Sequence, residues 1–347
     1  MLERGVDLVL VSVGPDLRYL TGYDSHPSER LTALAVPASG DARILVPELE
    51  APRLMSAGLE VVPWAETEDP VEMTSSLVGE PSSVAVGDHL WSVFLLRFQK
   101  QWTRASWSPA SALVGDLRVR KDGPEIAALR SAGAGVDRVM ARIPSEVVFS
   151  GRTETEVARQ LAAMTLEEGH QAVEFTIVAS GPNGASPHHT ASDRVIEPGD
   201  MVVCDFGGQW DGYFSDSTRT FVVGEPSDLQ GEVHRVVQDA QQKGRETAGP
   251  DVACEEVDRA TRKVIVDAGY GEFFIHRTGH GIGLEVHEHP YLVEGNRTVL
   301  QPGMAFSIEP GIYLPGQFGV RIEDIAVCDD NGIMVLNKSE RGLVTVE

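Results

Sequence analysis

Four acidic residues recur at matching places in two copies of one local pattern, and no other feature of the chain restricts its fold as strongly. Residues 198–219 read PGDMVVCDFGGQWDGYFSDSTR and residues 302–324 read PGMAFSIEPGIYLPGQFGVRIED. At a spacing of 104 residues, Val195 falls on Val299, Ile196 on Leu300, Pro198 on Pro302, Gly199 on Gly303, Asp205 on Glu309 and Gly207 on Gly311. This predicts two copies of one supersecondary unit, each a hairpin with a turn-prone centre. Asp205 and Asp216 centre between Trp210 and Asp211, inside GGQWDG, and Glu309 and Glu323 centre on Gly316, inside LPGQFG. Each acidic pair is therefore expected directly opposite across its hairpin, with Cβ atoms about 5 Å apart. Like charges so placed on inner strands are destabilising unless compensated. Two divalent cations balance four carboxylates. Two solvent-facing acidic hairpins are the alternative, and the apolar company of VVCD, FSIE and VRIED argues against it.

Histidines supply the second half of a metal-binding donor set. The segment FIHRTGHGIGLEVHEHP holds His276, His280, His287 and His289, and GASPHHTAS holds His188 and His189, six of the ten in the chain. Glycine-rich loops let side chains crowd a common point. Imidazole with carboxylate suits Mn²⁺, Co²⁺, Fe²⁺ or Zn²⁺. The spacing of His287-Glu288-His289 does not match a zinc-protease helix, and GHGIG lacks the following Lys-Ser/Thr of a phosphate loop. A carboxylate-bridged metal pair holds a bridging hydroxide near neutral pH and polarises a carbonyl, which is hydrolytic chemistry. Oxidase di-iron sites place their ligands on bundle helices, whereas these lie on strand-like runs.

The remaining properties narrow the partners. A chain of 347 residues is long enough for two domains. Its net charge of −23 argues against nucleic acid and against an anionic membrane surface as partners. Cys204, Cys254 and Cys328 are odd in number and widely spaced, which fits core packing in a reducing compartment. No apolar run is long enough to span a membrane, and the first residues do not read as a signal peptide, so a cytoplasmic location is expected.

Along the chain, strands are expected at 6–13, 31–36, 42–46, 60–64 and 83–87, with helices at 48–57 and 90–102. This predicts a small N-terminal α/β domain, residues 1–120, suited to packing, oligomer contact or covering a site. Residues 121–347 are expected to form an α+β domain. It opens on a helix from Pro124 and a second helix near 153–168, whose Thr153…Glu156 resembles a capping box. Strands follow at 173–179, 201–207, 213–223, 304–309 and 320–328, with a helix pair at 228–248 and 253–268.

The set DFGGQWDGYFSDSTRTF, HRTGHGIGLEVHE, FSIEPGIY and VRIEDIAV resembles the pita-bread metallopeptidases, Xaa-Pro dipeptidase (prolidase) and aminopeptidase P. The resemblance covers about residues 124–347, and the preceding domain looks like that family's creatinase-like N-terminal domain. It implies a C-terminal pita-bread domain with metal ligands at Asp205, Asp216, His280, Glu309 and Glu323. Asp216 and Glu323 would bridge, Asp205 would chelate one ion, and His280 with Glu309 would complete the other. Glu309 would also manage the proton of the bridging water. By similarity, His188 and His287 contact the scissile peptide, His276 lines the pocket and Arg321 orients carboxylates. His276 and the close Glu309…Glu323 spacing separate the chain from methionine aminopeptidase, and the full ligand set separates it from creatinase.

The resemblance implies two divalent ions, foremost Mn²⁺, peptide substrates and a homodimer. It implies a dipeptidase acting on Xaa-Pro, with aminopeptidase P on longer peptides as the alternative and a non-catalytic binding protein as a remote one. Nothing in composition or spacing reads an imide bond. Proline preference enters only through the resemblance.

Overall fold

Short β-branched runs closed by Gly or Pro build the first part of the chain into a six-stranded sheet, seen in a computed structural model that describes residues 1–54 and 58–347. The chain divides into two units, Met1–Arg118 and Val119–Glu347. In the first, β1 (Leu8–Ser12), α1 (Pro15–Thr21), β2 (Ala33–Pro37), β3 (Arg43–Pro47), β4 (Glu60–Trp64), α2 (Pro70–Val78), β5 (Ser83–Val86), α3 (Ser92–Gln101), β6 (Ser106–Pro109) and α4 (Val114–Arg118) follow in order. The sheet order is β4-β3-β2-β1-β5-β6. β1–β2 and β2–β3 pair antiparallel, and the outer pairs run parallel. Five of the six strands fall on expected runs. The helix expected at 48–57 does not form where the chain is described. Ala51–Arg53 makes a single 3₁₀ turn, and residues 55–57 lie outside the described residues. Pro52 sits where that helix needs an N–H and a clear path for the preceding turn.

The second unit begins with α5 (Gly123–Glu146) and α6 (Glu154–Glu167). Asp122 and Thr153 close reciprocal capping boxes with Glu125 and Glu156, so both starts are written locally. Next come β7 (Ala172–Ser180), β8 (Met201–Trp210), β9 (Tyr213–Phe214) and β10 (Ser217–Val223), then α7 (Asp228–Thr247) and α8 (Cys254–Asp267). The chain closes with β11 (Gly279–Gly281), β12 (Glu288–Leu292), β13 (Ala305–Ile308), β14 (Gly311–Leu314), β15 (Phe318–Arg321), β16 (Asp324–Asp329), β17 (Gly332–Val335) and β18 (Val344–Val346). One sheet runs β18-β10-β8-β7, a second β12-β11-β13-β16-β17, and β14–β15 form a separate ribbon. Helices α5 and α6 bury Val136, Val139 and Leu161 against Val178, Cys204 and Phe206 of the first sheet. Helices α7 and α8 bury Val233, Val237 and Ile265 against Ile312 and Val320. All three cysteines are buried and unpaired, as expected. Among the described residues, no helix is long and apolar enough to cross a membrane.

The internal repeat is a backbone fact. Thr153 bridges to Val195 just before α6, and Ala253 bridges to Val299 just before α8. Gly199 and Gly303 both take the left-handed conformation, φ 91° and 92°. Their N–H groups donate to Val223 and Cys328, so each half starts its hairpin from the same turn.

The two hairpins differ in register. β13–β16 pair Ile308 with Asp324 and β14–β15 pair Gly311 with Arg321, which sets Glu309 opposite Glu323 as expected. In the other, Asp205 lies opposite Thr218, two residues beyond Asp216. The turn is Asp211-Gly212, both with positive φ (50° and 88°), flanked by the pair Trp210–Tyr213. An Asp-Gly pair is the strongest two-residue hairpin signal, and it moves the centre of the turn one position along the chain. A two-residue slip preserves the face, so Asp216 is a diagonal neighbour of Asp205 and still points the same way. Because this turn sets the register, Gly212→Val is expected to destabilise the protein by about 1–3 kcal/mol through the left-handed backbone. The shift in urea midpoint measures it.

Candidate metal centre

Alternation along the β14–β15 ribbon aims Glu309, Gly311 and Tyr313 to one face, across from Glu323, Arg321 and Gly319. Gly311 leaves space for the Tyr313 hydroxyl, 2.5 Å from where a Cβ would stand. The third wall is β11, a short strand squeezed between β12 and β13. A Cβ on Gly279 would lie 2.0 Å from the Ser307 carbonyl oxygen, and one on Gly281 2.2 Å from that of His289. The Gly-His-Gly sequence is therefore a packing requirement that delivers His280 to the centre.

Here Asp205, Asp216, His280 and Glu323 are all buried, and Glu309 is nearly so. His280 Nε2 lies 3.3 Å from Glu309, 3.5 Å from Asp216 and 3.9 Å from Glu323. Three overlapping groups have donor atoms within 4.8 Å of one another: Asp205–Asp216–Glu323, His280–Glu309–Glu323 and Asp216–His280–His287. His280 Nδ1 faces the Gly281 carbonyl oxygen at 3.0 Å. A carbonyl only accepts, so Nδ1 carries a proton, and Nε2, the nitrogen left to offer a lone pair to a cation, faces the carboxylates. Asp205 Oδ1 and Glu323 Oε1 are buried without a hydrogen-bond partner. A cluster of acceptors lacking donors suits cations, and a mixed oxygen and nitrogen donor set suits divalent transition ions. The residues fit a metal site.

Electrostatics agree. Burial, followed by the neighbouring carboxylates, pushes the Asp216 and Glu323 carboxyls well above their ordinary range. Burial also raises Asp205, against the opposing charge of Arg321. For Glu309 burial acts upward too, but His280, His276 and Arg321 outweigh it and hold the group below the usual value.

Arg321 donates to Asp205, to Thr218 Oγ1 (3.0 Å), to the Tyr313 hydroxyl (2.9 Å) and to the Pro187 carbonyl (3.1 Å). Thr218 in turn donates to Glu323 at 2.7 Å. Arg321 thus reaches Asp205 directly and Glu323 through one hydroxyl. His276 Nδ1 donates to the Arg277 carbonyl at 2.7 Å, so its Nε2 accepts from Tyr313 at 2.9 Å. Burial lowers the His276 pKa and, with His280 beside it, takes His287 down to about 4.

A cleft of about 700 Å³ opens onto the cluster and is lined by all five candidate ligands and by His188, His276, His287 and Arg321. Phe175, Ile177, Pro187 and Val286 give it apolar walls. Two expected neighbours are elsewhere. His189 turns back onto the buried Glu154 at 2.8 Å, and the His289 ring lies against Tyr291. In each pair only one of the two histidines, His188 or His287, lines the cleft. Tyr313, Thr218, Glu174 and Arg277 were not anticipated. Period-two reading of GIYLPG signals Tyr313 and the corrected register signals Thr218, but no local pattern marks Glu174 or Arg277.

A model of metallopeptidase family M24 matches residues 127–330, and a model of the creatinase/prolidase N-terminal domain matches residues 1–120. The chain belongs to metallopeptidase family M24. It is 44% identical to the probable dipeptidase PepE of Mycobacterium tuberculosis, over 99% of this chain and 93% of that one. It is 37% identical to the Xaa-Pro dipeptidase of Lactobacillus helveticus, over 97% of this chain and 94% of that one. The structure matches prolidase from Thermococcus sibiricus with a TM-score of 0.95 and 38% identity, covering 99% and 95% of the two chains. This M24 protein is a peptidase with the pita-bread fold, as its motifs imply, and the family implies divalent metal ions.

Metal removal should expose the repulsion. For groups whose folded pKa is raised, stability is present at low pH and lost as pH rises through the raised value. Chelated protein should therefore melt at progressively lower temperature as pH rises from the ordinary carboxylate range toward neutrality. Adding Mn²⁺ should raise the melting temperature most at the upper end. Calorimetry from pH 5 to 8 checks it, and an equal Mn²⁺ effect at every pH would contradict it.

Proposed function

We propose that this M24 peptidase is an Xaa-Pro dipeptidase that holds two divalent ions on Asp205, Asp216, His280, Glu309 and Glu323. The carrying observation is the convergence of four carboxylates and one imidazole lone pair at the floor of a cleft, with two buried carboxylate oxygens lacking donors. Glu323 belongs to two of the three donor groups and Asp216 to two, which supports their reading as the shared ligands. Mn²⁺ is the preferred ion for so carboxylate-rich a set, with Co²⁺, Fe²⁺ and Zn²⁺ also accommodated. When bound, such ions polarise a carbonyl and acidify water near neutral pH.

The chain's own groups do the rest. Glu309, held ionised, accepts the proton that water loses as it attacks the peptide carbonyl, and returns it to the departing imino nitrogen. His188 and His287 flank the cleft, placed to donate to the carbonyl and the scissile peptide. Neutral His276, locked by Arg277 and Tyr313, lines the pocket, and Arg321 holds Asp205 in place. The apolar wall of Phe175, Ile177 and Val286 suits a pyrrolidine ring and excludes water.

Charge at the cleft favours dipeptides over the longer substrates of an aminopeptidase P. Arg277 lines it with its guanidinium 4.2 Å over the Tyr291 ring, a rigid cation for a terminal carboxylate, and Glu174 offers an anion for a free amine. Near-full-length similarity to proteins named dipeptidases points the same way. We place the enzyme in the cytoplasm as a homodimer, and light scattering should return twice the chain mass. A monomer would contradict that assignment.

Chelation should abolish cleavage of Xaa-Pro dipeptides, and Mn²⁺ or Co²⁺ should restore it. Asp216→Ala should lower kcat/KM by roughly 100- to 1,000-fold. Arg277→Met should lower it about 10- to 100-fold on Xaa-Pro, the loss of one charged hydrogen bond, while changing Xaa-Pro-Xaa cleavage little. Equal loss on both substrates, or a wild-type preference for the tripeptide, would favour the aminopeptidase.

A further inference from the structure

Glu154 is the first residue of α6 and is completely buried. Its Oε1 accepts from the Ser180 N–H (2.8 Å), the Ser180 hydroxyl (2.8 Å) and the Asn183 amide (3.1 Å). Its Oε2 accepts from the Ser192 N–H (3.0 Å), the Ser192 hydroxyl (2.7 Å) and His189 Nε2 (2.8 Å). Every one of these donors lies on the segment 180–192, which joins β7 to β8 and carries His188. The Arg194 guanidinium is committed to Asp200 at 2.6 Å and touches this network at the Ser180 hydroxyl, not at the carboxylate. Hydrogen bonds and the N-terminal end of α6 therefore stabilise the buried charge. Burial alone would raise its pKa, but the bonds from Ser192, Ser180 and His189 take it down to about 2.

The other flank of the segment is fixed against the cleft wall. A Cβ on Gly319 would lie 1.9 Å from the Gly184 carbonyl oxygen, so loop and β15 meet backbone to backbone. Arg321 grips the Pro187 carbonyl while Glu154 grips the His189 ring. His188 thus stands between two anchored neighbours, one held from each side. The second half of the repeat uses a similar device: Asp258 of α8 accepts from the Thr278 N–H (3.1 Å) and hydroxyl (2.7 Å), two residues before His280.

We propose that Glu154 is a positioning residue that acts on the reaction through His188, by fixing the loop that presents this histidine to the cleft. The proposal rests on the reading that His188 contacts the peptide. Only an ionised carboxylate accepts at both ends of this site. A glutamine turns its NH₂ toward three donors, whichever way it is placed. Misplacement of a reacting group by about 1 Å costs up to about 100-fold in rate.

The test is a double-mutant cycle on the Mn²⁺-loaded enzyme, comparing Glu154→Gln, His188→Ala and the double variant on an Xaa-Pro dipeptide. Metal content and amide exchange across 180–192 are measured alongside. Glu154→Gln is expected to lower kcat by about 10- to 100-fold with KM changed far less and metal content unchanged, while the Ser180 and Ser192 amides exchange at least about tenfold faster. In the His188→Ala background the same substitution should cost less than about threefold, since the group it positions is gone. Equal losses in both backgrounds, parallel loss of metal, or unchanged exchange would overturn the proposal. If Glu154→Gln does not fold, His189→Ala with Ser192→Ala removes two of the donors, the imidazole and the hydroxyl, and the same cycle decides. His188→Ala with full activity overturns the role of His188 along with the proposal, whereas normal loss on His188→Ala with additive Glu154→Gln overturns the proposal alone.

Discussion

Mutual repulsion among buried carboxylates is the constraint around which the second unit is built. Asp205, Asp216 and Glu323 stand within a few ångströms of one another, the last two also beside the His280 ring, buried at the floor of the cleft. Arg321 is the one guanidinium that contacts this cluster among the described bonds, and it reaches only one oxygen of Asp205 directly. A protein interior does not tolerate such an arrangement for its own sake. The surrounding sheets, the glycine-lined β11 and the Thr218–Arg321–Tyr313 chain hold the acceptors in place, and divalent ions supply the missing positive charge.

The repeat provides the frame and the loops provide the chemistry. Both halves start a hairpin from a left-handed glycine and set an acid at the sixth position after it, Asp205 within β8 or Glu309 just past β13. The symmetry stops there. β11 inserts His280 on one side only, and the loop between β7 and β8 inserts His188 on the other. Each of these irregular segments is tied down by a buried carboxylate from the second helix of its half, Glu154 or Asp258. Strands set distances between ligands, and hydrogen-bonded loops set the places of groups that meet the substrate.

Much of this was legible in advance because the relevant signals are local. Pro124 and the capping box at Thr153 announce helices, and alternation in FSIEPGIY announces which residues share a face. The Glu309–Glu323 register follows from the symmetric LPGQFG turn. The Asp205–Asp216 register was misjudged because weight fell on the centre of the acidic pair and not on Asp211-Gly212, the residues able to take positive φ. The expected helix over 48–57 ignored Pro52. His189 and His289 counted toward the cluster on proximity in sequence, but tertiary partners, Glu154 for one and Tyr291 for the other, hold them away from it.

The amino-acid sequence alone determined the donor types, the repeat that carries them and the family to which the chain belongs, because metal chemistry requires particular side chains at spacings set by strand and turn geometry. Only the tertiary structure decided which histidines reach the cleft, that Thr218 and Tyr313 link Arg321 to Glu323 and His276, and that Glu154 holds the loop of His188. Apart from the Arg321–Tyr313 bond within one ribbon, those relations join residues 26 to 105 positions apart, and no local periodicity encodes them. They exist because the packing of sheets and helices from both halves brings these distant segments together, and their buried polar groups pair across the contacts.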